Sequence, residues 1–112
     1  MSEAVYFQNV LPNARTKVME ALYVATYAAA DLHSDAVSGV VYLLEWLASR
    51  FEQQEAKHSQ DLDDLSANAC AALAVLSSVN ESHRSQLLHA AETILAVAKA
   101  MLDDAIEKGG ST

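Results

Sequence analysis

The sequence predicts an all-α fold, an up-and-down antiparallel helical bundle of about four helices, and three observations lead there. Apolar residues recur at alternating three- and four-residue spacing, the period that stacks side chains on one face of a helix. Only three glycines and one proline punctuate 112 residues, too few to build the tight turns of a strand meander. Apolar residues make up 52% of the chain, with alanine and leucine abundant, a composition of packed helices. A chain of this length is one domain and buries roughly 65% of its unfolded surface without staples.

Residues 1–12 read as an irregular lead-in, because no helical period runs through them and Leu11 precedes Pro12, which biases it toward an extended backbone. The bundle domain is expected over 13–108 and a flexible tail over 109–112, with Gly109 as the stop. Asn13 is placed to cap the first helix, which runs to about Leu32 with Val18, Leu22, Ala25, Ala29 and Leu32 on one face. Its alanines make it thin and permit close approach. Tyr23 and Tyr27, one turn apart, lie beside that face, where a ring packs while its hydroxyl reaches water.

The second helix, DAVSGVVYLLEWLASRFE over 35–52, organises the rest. Val37, Val40, Leu44, Leu47 and Phe51 form a regular seam, and Ser34 stands before it as N-cap. Val41, Tyr42, Leu43 and Trp46 fall outside the seam, so more than half of this helix asks for cover. Either it is the most buried helix of the bundle or it meets a second chain. Ser59 opens the third helix, with Leu62, Leu65, Ala69, Ala72 and Leu76 as seam and Cys70 expected in the core. Asn80 or Ser82 is the expected cap of the fourth, with Leu87, Ala90, Ile94, Val97 and Met101 as seam. Neither junction before Asp35 nor that before Ser59 contains glycine or proline, so a continuous helix at either would force pairing with another chain.

Seven basic residues against fifteen acidic give a formal charge of −8, which argues against binding nucleic acid through its phosphates or lying on an anionic membrane. The lone cysteine builds no disulfide framework. Residues 1–11 lack a basic targeting region and the apolar run Val40 to Leu44 is short. A cytoplasmic protein is expected.

Candidate chemistry is sparse. Glu55 and His58 have the Glu-x-x-His spacing of carboxylate-bridged metal bundles, but no second copy of the motif accompanies them. His33, His83 and His89 fall near one end of an up-and-down bundle, where solvated or capping roles outweigh a zinc site. Asp61, Asp63, Asp64, Asp103, Asp104 and Glu107 gather where the third helix starts and the fourth ends; the latter three oppose the helix dipole. Basic residues such as Arg15, Arg50 and Lys108 share that end and offset the field. No phosphate loop, paired-cysteine motif or nucleophile elbow occurs. The sequence therefore points to a non-enzymatic protein with no cofactor and no metal, acting through protein contacts and forming a homodimer. Tyr42 and Trp46 anchor that interface and Tyr23 and Tyr27 flank it. Two alternatives are a small-ligand pocket at Tyr23, Tyr27 and Trp46, and an acidic inhibitor or mimic of the phage type that blocks a basic site on a larger complex.

Overall fold

A computed structural model describes the backbone of residues 3–53 and 59–110 and the side chains of 10–53 and 61–108. Four helices follow in order: α1 (Glu3–Leu32), α2 (Asp35–Gln53), α3 (Ser59–His83) and α4 (Gln86–Gly110). They form an elongated bundle, 46 × 21 × 16 Å along its principal axes. Each helix packs on two neighbours: α1 and α3 both lie against α2 and α4. The α1–α4 contact is the most extensive and the α2–α3 contact the least. Length and side-chain size both favour the α1–α4 contact: α1 and α4 have 30 and 25 residues against 19 in α2. Ala14, Ala21, Ala25 and Ala28 of α1 and Ala91, Ala98 and Ala105 of α4 let two axes approach closely, whereas the buried face of α2 is built of Val37, Val40, Leu44, Leu47 and Phe51.

The seams of α2 and α3 are those the periodicity predicts, and every member is buried. That of α4 is displaced by one residue: Leu88, Ala91, Leu95, Ala98, Leu102 and Ala105 are buried, while Leu87 and Val97 are exposed and Ala90, Ile94 and Met101 lie half-buried on the flank. On α1 the buried row is Leu11, Ala14, Val18, Ala21, Ala25 and Ala28, with Leu22 at its edge. Cys70 is exposed rather than a core residue, because the α3 seam passes through Ala69 and Ala72 and turns residue 70 outward.

Two boundary expectations are corrected. Residues 3–12 are helical instead of irregular, and α1 runs through Pro12. A proline in a helix removes one backbone hydrogen bond; burial of Leu11 and Ala14 on either side offsets it, and Pro12 itself faces solvent. At the other end α4 passes Gly109 and continues to Gly110, while Ser111 and Thr112 lie outside the described residues.

The two hairpins, α1–α2 and α3–α4, repeat one plan 51 positions apart. Leu11, Ala14, Val18, Ala21 and Ala25 correspond to Leu62, Leu65, Ala69, Ala72 and Leu76; Val37, Val40, Leu44, Leu47 and Phe51 to Leu88, Ala91, Leu95, Ala98 and Leu102. Even the turns match. His33 and Arg84 both take left-handed backbone conformations, φ 48° and 51°. Their amides donate to Ala29 O at 3.1 Å and Asn80 O at 2.7 Å, closing α1 and α3. The next residues, Ser34 and Ser85, accept through Oγ from the amides of Val37 (3.4 Å) and Leu88 (3.3 Å), the N-cap bond. Ser85 is thus the cap of α4. Asn80, expected there, instead stays in α3 and accepts from the Ser85 amide at 2.8 Å.

Among the described residues one helix, α3 over Asp61–His83, is long and apolar enough by length and composition to cross a membrane. No charge interrupts it between Asp64 and Glu81, a stretch that a search for unbroken apolar runs misses because serines and asparagines divide it.

Candidate functional site

The outward side of the first hairpin carries the exposed aromatics. Tyr23 and Tyr27 on α1 are 60% and 72% exposed, Tyr42 and Trp46 on α2 71% and 48%. α1 therefore does not cover the α2 pair. The reason is angular: positions 42 and 46 lie opposite the seam through Leu44 and Leu47, so packing that buries the seam turns them to solvent.

Between α1 and α2 two solvent-open clefts run end to end and share Glu45. One, about 220 Å³, is lined by Arg15, Met19, Leu22, Ala48, Ser49 and Glu52 besides Glu45. The other, about 190 Å³, adds Thr26, Ala29, Ser38, Val41 and Tyr42. Tyr23, Tyr27 and Trp46 line neither, so the pocket expected among those three does not form in this groove. Both volumes fall below the 300–1,000 Å³ or so of small-molecule sites. Arg15 Nη2 donates to Glu52 Oε1 across the groove and ties the two helices together. Glu45, in contrast, carries no hydrogen bond or ion pair among the described residues.

The acidic cluster is assembled where α3 begins and α4 ends, and the structure resolves it into pairs. Asp103 accepts from Ser66 Oγ through Oδ1 and from Lys99 Nζ through Oδ2, both at 2.5 Å. The Lys99 hydrogen bond, then that from Ser66, holds the Asp103 carboxyl below the usual carboxylate range. The same bond to Asp103 raises Lys99. Asp104 pairs with Lys108 at 3.0 Å. Asp63, Asp64 and Glu107 are exposed on the surface; Asp61 is half-buried and engaged. Two of the three acids that oppose the dipole of α4 are thus answered by lysines one turn away.

The histidines do not converge. His33 sits in the α1–α2 turn. His83 ends α3, its Nδ1 donating to Val79 O at 2.9 Å. On α4 the exposed His89 places Nδ1 3.5 Å from Glu92. Among the described residues no three His, Cys, Asp or Glu side chains come together as a metal-holding group. Glu55 and His58 lie outside the described residues.

Sequence reasoning missed the groove and the isolation of Glu45, since both depend on how α1 and α2 dock. A cue was present: Arg15 and Glu52 recur 51 positions on as Ser66 and Asp103, another polar pair joining the two helices of a hairpin. Comparison with family models, with curated proteins and with solved structures finds no match.

Proposed function

We propose that this chain is a non-enzymatic interaction protein that forms a homodimer through the outer face of its first hairpin. The observation that carries this reading is the exposure of four aromatics on one hairpin, two on each helix, where large rings with polar tips suit desolvation against a partner. The second hairpin supplies an internal control. At the positions equivalent to Tyr23, Tyr27, Tyr42 and Trp46 it carries Ala74, Ser78, Thr93 and Val97. The scaffold thus closes with small side chains at those four places, and the rings serve something other than the bundle.

Native mass spectrometry, with sedimentation over a range of concentrations, tests the reading. The expected species is a dimer of bare chain mass. Trp46→Glu, at a site 48% exposed, shifts the protein to monomer while the thermal midpoint at low concentration holds. A wild-type protein that stays monomeric throughout, or a Trp46→Glu dimer as tight as wild type, overturns it. A monomer carrying added mass favours the small-ligand alternative. The acidic-mimic alternative instead requires a basic partner whose binding weakens steeply with salt.

A further inference from the structure

The outer face of α2 specifies how a second copy docks, an inference that rests on the self-association reading. Gly39, Tyr42, Trp46, Ser49 and Gln53 recur at 3-4-3-4 spacing opposite the buried seam, and all five are exposed. In heptad terms Gly39, Trp46 and Gln53 take a positions and Tyr42 and Ser49 d positions; Tyr42 and Trp46 are the two large side chains of the row and the apolar centre of the face.

Charge on the edges of this face selects the orientation. Glu45 takes the g position and Arg50 the following e position. Five residues apart, they point to opposite sides of the face and do not meet along their own helix, where neighbours stand three or four apart. Neither makes an ion pair among the described residues. In a parallel, in-register pair the g side chain of one helix meets the e side chain of the next heptad on the other. A two-fold axis parallel to α2 therefore brings each Glu45 to the second copy's Arg50, twice. In an antiparallel pair like edges face each other, and Ser38, Glu45 and Glu52 of one copy would meet the same acidic edge of the other. For a chain of charge −8 that arrangement is the repulsive one.

Gly39 is a separate observation. A glycine within a helix costs stability relative to alanine, and here the chain gives no reason for it: its φ is not positive, and a Cβ at this position would meet no atom within 4 Å. The equivalent position of the second hairpin is Ala90. On an a position of a parallel pair, two glycines let the backbones close in beside the layer formed by the tyrosines.

We propose that the chain forms a parallel two-fold dimer through α2, with Tyr42 and Trp46 layered at its centre and Glu45 of each copy paired with Arg50 of the other.

Two experiments on the full chain test it. In a Cys70→Ser background, Ser49→Cys places two thiols face to face across the axis, within the Cα separation of about 7 Å that a disulfide spans. Oxidation is expected to give a cross-linked dimer, while Ala100→Cys, at the equivalent position of α4, stays uncross-linked. Glu45→Arg and Arg50→Glu should each raise the dimer dissociation constant about ten-fold by opposing like charges, and the double exchange should restore it. A wild-type dimer that neither cross-links at Ser49→Cys nor recovers in the double exchange overturns the parallel arrangement and leaves self-association standing. A monomeric wild type overturns both.

Discussion

The α1–α2 and α3–α4 hairpins share a skeleton and differ in what they show to solvent. Their buried seams, left-handed turn residues, serine caps and cross-helix polar pairs coincide when one hairpin is moved 51 positions along the chain. Outside that shared set almost nothing corresponds. Tyr23 stands against Ala74, Trp46 against Val97, Glu45 against Ala96, Arg50 against Met101. At these positions the first hairpin presents rings and separated charges where the second carries alanine, valine and methionine. Seam and turn chemistry are thus enough to build this bundle, and the outward positions are free to carry something else. Each difference between the hairpins is in effect a substitution already made in a common scaffold.

The largest expected effect tests the shared part. Leu44 and Leu95 are equivalent, and both are fully buried. Leu44→Ala and Leu95→Ala should each cost about 2–5 kcal/mol, the transfer loss plus the cavity left behind, read from urea unfolding at a protein concentration low enough to keep the chain monomeric. Two similar losses support equivalent roles. A loss below about 1 kcal/mol at one site alone would show that its hairpin repacks, breaking the correspondence.

A smaller effect separates the two cross-helix pairs. Arg15–Glu52 joins two exposed side chains, whereas Asp103 is held by both Lys99 and Ser66. Because the folded-state pKa of Asp103 is lowered, its contribution is full above the ordinary carboxylate pKa and is lost as pH falls through the lowered value. Lys99, raised by the same bond, contributes below the ordinary lysine pKa and loses that contribution as pH rises through its raised value. The pair therefore supports the fold across the neutral range and fades at both extremes. Asp103→Asn should cost about 0.5–1 kcal/mol at neutral pH, as a solvent-screened ion pair and one hydroxyl bond imply, and should flatten the acid limb of the stability profile. Glu52→Gln, which breaks one exposed ion pair, should cost less at neutral pH.

What the sequence made legible follows from side-chain contrast. In α2 the rows displaced by one residue are broken by Gly39 and Arg50 or by Ser38, Glu45 and Glu52, and in α3 by Asp61, Asp64 and Asn68 or by Asp63, Ser66 and Ser77. One phase of the helical period therefore fits and the seams are legible, Ala48 and Ser66 being buried beside them. α4 offers the adjacent apolar pairs Leu87-Leu88, Ile94-Leu95 and Met101-Leu102, which satisfy two phases equally well, and the buried row is the one that starts at Leu88, one residue after the row through Leu87. The turn decides between them, because Ser85 as cap sets the start of α4 and hence its phase. Pro12 read as a boundary because its local cost is visible in sequence, while the burial of Leu11 that offsets it is not. At the candidate surface, the outward placement of Tyr42 and Trp46 follows from angular position alone. The isolation of Glu45 does not, since it reflects which α1 side chains border the groove: Arg15 is committed to Glu52, and Met19 and Leu22 carry no charge.

The smallest effect on folding is the one that separates scaffold from surface most sharply. Exchanging Tyr42→Thr and Trp46→Val together gives the first hairpin the residues that the second already carries at those positions. Both sites are exposed, so the stability of the isolated chain should stay within about 0.5 kcal/mol of wild type. Association should behave differently. A dimer that binds the folded state raises the thermal midpoint as protein concentration rises; in the exchanged protein that dependence should vanish, and the dilute and concentrated melts should coincide. If the exchange instead lowers the midpoint at high dilution by an amount worth more than about 1 kcal/mol, the rings hold the bundle together, and the second hairpin does not report on what the first one needs.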